Sequence, residues 1–124
     1  MIFADTSIWI DYLRHRNPQM QNLLAQGKIV MHPFIVAEIS LGSLHNRQER
    51  LREMEKLFSV RVAHLAEVRK MIEEHALYSR GIGLIDAHLL ASCLLTPGVL
   101  LWTRDIPLQK AAQVLNIPLI SPII

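Results

Sequence analysis

Five strand-length runs recur along the chain with helix-length segments between them: Ile2-Phe3-Ala4, KIVMH, SVRVA, GVLLWT and IPLI. Strands spaced by helical segments argue for a parallel sheet, because a parallel pair needs a long crossover that is usually a helix. Apolar runs such as GVLLW suit strands covered on both faces. SVRVA alternates instead, which predicts an edge strand with Arg61 turned outward. At 124 residues and 51% apolar content, the chain is expected to fold as one domain, 1–124, around a single core.

The intervening helices have readable limits. Residues 6–14 place Ile8, Trp9, Tyr12 and Leu13 on one side at helical spacing. Asn17 followed by Pro18 predicts a capped helix start, and Gly27 a stop. PFIVAEISLGSL is apolar almost all round and so predicted buried, whereas NRQERLREMEKLF is amphipathic and heavily charged. LAEVRKMIEEHALYSR predicts one long amphipathic helix ending at Gly81. LIDAHLLASCLL reads as a second buried helix, and IPLQKAAQVLN as the last.

Several function classes drop out early. Cys93 is the single cysteine, set in LLASCLL, so neither a disulfide framework nor a thiolate metal site is expected. A net charge of +2 with a pI near 9 allows basic patches without demanding nucleic acid. The N-terminus lacks the basic segment of a signal peptide, and Asp5 ends its apolar run at once. The stretch between Asp86 and Arg104 is shorter than the roughly 20 residues of a membrane helix, and Thr96-Pro97-Gly98 breaks it. A soluble cytoplasmic protein is the expectation.

The four aspartates are Asp5, Asp11, Asp86 and Asp105. Asp11, between Ile10 and Tyr12, reads as a solvated surface acid. The other three adjoin apolar segments: Asp5 ends the first strand, Asp105 follows GVLLWTR, and Asp86 lies in the first turn of a buried helix. Each has a plain structural alternative, since Asp5, Thr6 or Asp105 can cap a helix and Asp86 favours a positive helix end. Glu38 has none. It sits among Ile35, Val36, Ile39 and Leu41, with no Lys or Arg within a helical turn. A buried lone carboxylate costs several kcal/mol unless it is paired or protonated.

In an open parallel sheet, ligands sit at the carboxyl ends of the strands. Asp5 and Asp105 emerge there, within reach of Glu38 and Asp86 from flanking helices. Four carboxylates in one pocket raise each other's pKa unless a counter-charge is supplied. All-oxygen donors select a hard cation, Mg²⁺ or Mn²⁺, over zinc. Such a site suits phosphodiester hydrolysis, in which the metal activates water and stabilises charge on phosphate oxygens.

Taken together, ADTSIWIDYL, the Glu in VAEISLG, GLIDAHLLAS and LLWTRD resemble the PIN-domain ribonucleases, and more narrowly the VapC-type toxins of bacterial and archaeal toxin–antitoxin pairs. The likeness spans essentially the whole chain, in the family's order and spacing. It implies a three-layer α/β/α fold whose central parallel sheet has the strand order 3-2-1-4-5. It implies Asp5, Glu38, Asp86 and Asp105 as a catalytic, metal-binding quartet, with Asp105 acting directly or through water. Thr6, Ser7 and Thr103 are implied as supporting residues. The implied activity is a metal-dependent endoribonuclease. The implied partners are RNA and a small antitoxin that blocks the site, with helices 34–44 and 47–58 as its docking surface. A homodimer is also implied.

RNA near an acidic pocket needs flanking cations. Arg14, Arg16, Arg80 and Arg104 are candidates, and Arg104 gains weight by adjoining Asp105. Arg47, Arg50 and Arg52 share their segment with Glu49, Glu53 and Glu55, which reads as a solvated, ion-paired face. Trp9 and Trp102 read as core or interface, and His88 as packed or peripheral. Two other functions compete. A non-catalytic PIN module would bind RNA or protein without cutting. A receiver-type phosphoacceptor would need a Lys at the last strand's end, where WTRDIPLQK has none, and an acid pair after the first strand, where Thr6 and Ser7 stand.

Overall fold

The computed structural model describes residues 1–120. Its elements run β1 (Ile2–Ala4), α1 (Thr6–His15), α2 (Pro18–Ala25), β2 (Ile29–Val30), α3 (Pro33–Ser40), α4 (Arg47–Glu55), α5 (Leu65–Glu74), α6 (Leu84–Leu95), β3 (Leu100–Trp102) and α7 (Ile106–Val114). β1 is the central strand, parallel to β2 on one side and β3 on the other. Successive residues of a strand point to opposite faces. Ile2, Phe3 and Ala4 are all buried, so helices cover both sides of the sheet and the layering is α/β/α.

The five predicted strands lie in the order 3-2-1-4-5, but the outer two are reduced to single parallel bridges, Met31 with Ser59 and Leu101 with Leu119. Local chemistry explains the shortening. Beyond Ser59 the Arg61 N–H donates to the Thr96 hydroxyl at 3.0 Å instead of to a strand. At the other edge Pro118 has no N–H to donate. Arg61 is exposed, as the alternating pattern predicts.

The long helix predicted to run to Gly81 stops at Glu74. Ala76 adopts a left-handed conformation (φ 51°), and the Leu77 N–H reaches back to the Ile72 carbonyl at 3.0 Å. This closes a Schellman turn around a non-glycine residue. Burial of Leu77, 2% exposed, outweighs the continuing helical pattern. Asn17 caps α2 through the Met20 N–H at 3.1 Å, and Gly27 ends it with φ 68°, both as predicted. Among the described residues, no helix is long and apolar enough to cross a membrane.

Candidate active site

The site starts where β1 ends. The Asp5 N–H extends the ladder to the Trp102 carbonyl (3.0 Å), and its carboxylate then caps α1. Oδ1 accepts from the Ile8 N–H at 3.2 Å and from the Ser7 hydroxyl at 2.5 Å, while Oδ2 accepts from the Thr103 hydroxyl. Asp5 is only 4% exposed. Burial raises its pKa above the ordinary carboxylate value, and the donors from Ser7, Thr103 and the backbone work against that rise. The capping alternative for Asp5 is therefore real, and it coexists with a place at the mouth of the sheet.

Neighbouring hydroxyls bind the strand ends together. Thr6 Oγ1 donates to Glu38 Oε1 at 2.6 Å, joining α1 to α3. Ser7 Oγ accepts from the Arg104 N–H at 3.2 Å, and Thr103 Oγ1 accepts from the Asp105 N–H at 3.0 Å. Thr6, Ser7 and Thr103 thus each touch an acid of the quartet or its backbone. Asp105 is the N-cap residue of α7, yet its carboxylate makes no capping hydrogen bond.

Asp86 sits in the first turn of α6, where Oδ2 accepts a long hydrogen bond from the Gly83 N–H at 3.4 Å. Its pKa is raised, chiefly by burial, and further by the negative charges of Asp105, Asp5 and Glu38. Asp86 therefore lies within electrostatic reach of the other three acids. Among the described residues, none of the four is ion-paired with Lys or Arg. Nor, among the described residues, do any three Asp, Glu, His or Cys side chains stand close enough together to hold a metal ion as they are placed. Neighbouring carboxylates without a cage still suit Mg²⁺, which keeps several waters and takes one or two carboxylates. The donor set fits a hydrated hard dication.

The basic candidates separate. Arg14 and Arg50 line a cleft of about 190 Å³ that has Glu38 in its wall. Arg16 is exposed beyond the end of α1. Arg80 is exposed, with Nε donating to the Ala76 carbonyl at 2.9 Å. Arg47 donates to the carbonyls of Ser40, the last residue of α3, and Gly42 just beyond it, so it serves the fold. Arg104 pairs with Asp11 at 3.1 Å. Asp11 is a correction to the sequence reading: its side chain is only 13% exposed, and its second oxygen accepts from the Asn17 amide at 3.1 Å. Sequence spacing carries no signal for that pair, which the fold assembles across 93 positions, from 11 to 104.

Trp9 and Trp102 are both buried, and His88 packs against Phe34 with ring centroids 4.7 Å apart. Sequence reasoning passed over His32, which is fully buried and caps α3 by accepting the Phe34 N–H at Nδ1, 2.9 Å. Burial, and to a smaller extent the charge of His88, lower its pKa to about 4. Burial pushes the Cys93 thiol up to about 12, so it is an inert core residue.

Residues 2–114 match the PIN domain family. The chain is 37% identical over 111 residues to "Ribonuclease VapC32" of Mycobacterium tuberculosis, in both the CDC 1551 / Oshkosh and H37Rv strains, covering 90% of this chain and 90% of each relative.

Proposed function

Because this chain belongs to the PIN-domain family and is related to VapC ribonucleases along nearly its whole length, we propose that it is a metal-dependent endoribonuclease, the toxin of a type II toxin–antitoxin pair. The observation that carries the reading is that Asp5, Glu38 and Asp105 lie near enough to act on Asp86, with no basic partner for any of the four among the described residues. Family membership sets aside the phosphoacceptor alternative and leaves a non-catalytic binding module as the competitor.

Asp5, Glu38, Asp86 and Asp105 would hold Mg²⁺ or Mn²⁺, Asp105 either directly or through water. The bound ion lowers the pKa of water and stabilises charge on phosphoryl oxygens. Ser7 and Thr103 fix the Asp5 carboxylate in one orientation, and Thr6 does the same for Glu38. Arg14 along the Glu38 cleft, with Arg104 beside Asp105 and with exposed Arg16 and Arg80, supplies the positive charge that lets a polyanion approach the acids.

The antitoxin is assigned to the apolar groove of about 510 Å³ where Val36 and Ala37 of α3 face Leu51 and Met54 of α4. One PIN domain over 1–124, a homodimer and a cytoplasmic location complete the proposal. Cleavage of total RNA by purified, antitoxin-free protein tests it, with Mg²⁺, Mn²⁺ or EDTA, beside Asp5→Asn. Cleavage that needs metal and vanishes in the variant supports the reading. Well-folded protein that cuts no RNA class in either metal leaves the binding module instead.

A further inference from the structure

The Arg104–Asp11 pair lies beside the quartet, and resting on the metal-dependent reading above, we propose that Asp11 is a positioning residue that keeps Arg104 out of the metal pocket. Arg104 is tied to the site through its backbone: its N–H donates to Ser7 Oγ, which itself donates to Asp5. It also precedes Asp105 directly. A long guanidinium arm rooted between two carboxylates of an uncompensated quartet has an obvious alternative partner, because arginine–carboxylate pairs are strong and often bidentate. An arginine seated there would neutralise the acids and compete with the cation. In the fold the guanidinium is instead turned to Asp11, at 3.1 Å.

The geometry marks Asp11 as built for this. Its side chain is largely buried while that of Arg104 is 62% exposed. An exposed surface pair contributes little to stability. Asp11, however, is held in place from the other side by the Asn17 amide at 3.1 Å. Asn17 is in turn locked as the cap of α2. Both Asp11 oxygens are therefore committed, one to its anchor and one to Arg104. The guanidinium is kept at the rim, exposed and charged, where a ribose-phosphate chain reaches it, and the quartet stays open for the cation.

The test is Mn²⁺ binding without RNA, by electron paramagnetic resonance, on wild type, Asp11→Asn, Arg104→Ala and the double variant. Asp11→Asn is expected to weaken Mn²⁺ binding about tenfold, the scale on which outer residues tune metal affinity. Arg104→Ala is expected to bind Mn²⁺ at least as tightly as wild type. The double variant is expected to regain wild-type affinity, which a merely structural loss at Asp11 could not produce. Asp11→Glu, which keeps the charge, is expected to stay near wild type. Should Asp11→Asn fail to fold, Asp11→Ser takes its place. Unchanged affinity in the Asp11 variant, or a double variant as weak as the single one, overturns the proposal while leaving the metal site intact. Wild-type protein that binds no Mn²⁺ overturns the metal reading itself, and this proposal with it.

Discussion

Two polar clusters are buried at the carboxyl end of the sheet, and they are built on opposite rules. At the end of β1, both oxygens of Asp5 are engaged, by Ser7, Ile8 and Thr103. At the end of β2, His32 stacks on Phe3 with ring centroids 6.4 Å apart, and His88 lies at the same distance. There His32 Nε2 and His88 Nδ1 have no hydrogen-bond partner among the described residues. The acid cluster is supplied with donors that favour charge. The histidine cluster is packed by aromatic rings that favour neutrality. The difference teaches that burial alone does not mark chemistry. A buried group prepared to carry charge does.

The sharpest way to break this contrast is Asp5→Asn, which keeps an oxygen for the helix cap but removes the charge. RNA cleavage is expected to fall by about a thousandfold or more while the fold survives, read from cleavage rates beside circular dichroism. The histidine side is probed by pH. The folded-state pKa of His32 lies at about 4, below its ordinary 6.5, so its contribution to stability is fully present above 6.5. That contribution is lost as pH falls from 6.5 through 4, by up to about 3 kcal/mol. Urea unfolding across this window is expected to show the loss in wild type and to lack it in His32→Asn, whose amide oxygen preserves the cap.

Thr103→Val sharpens the acid side without touching a carboxylate. It strips a donor from buried Asp5, with an expected cost of about 1–3 kcal/mol in chemical denaturation. Cleavage is expected to slow by about 10–100-fold because Asp5 loses its orientation. The smallest effect runs the other way. The raised pKa of Asp86 means that its stability contribution is present at low pH and lost as pH rises through the folded value. At neutral pH and without metal, Asp86→Asn is therefore expected to raise the melting midpoint slightly in a thermal scan, even as it removes activity.

What the sequence made legible follows from what was local. The strand runs, the Asn17 cap, the Gly27 stop and the buried α6 are written in spacing and turn chemistry, whereas α3, predicted buried, buries only Ile35 and Ile39, stops at Ser40 and leaves Ala37 and Leu41 exposed. Glu38 stood out in the sequence as a carboxylate with no polar face, but the fold gives it one: it is half-buried and lines an open cleft with Arg14 and Arg50. The end of α5 was not legible, because the periodic pattern continues past Glu74 and only tertiary burial of Leu77 turns the chain. Asp11 was misread because its partners, Asn17 and Arg104, are chosen by the fold. His32 was passed over because KIVMH offers no sign that its last residue meets His88 from another helix. Contacts between distant segments, rather than propensities, account for each miss.

A divalent cation held by the four carboxylates at the sheet's mouth is what the proposed activity requires. Anomalous X-ray scattering from crystals of the protein grown with Mn²⁺ tests it most directly. The account predicts an anomalous peak bounded by Asp5, Glu38, Asp86 and Asp105, with the Arg104 guanidinium still turned to Asp11. A pocket without a peak at saturating Mn²⁺, or a peak held by residues elsewhere, would contradict it.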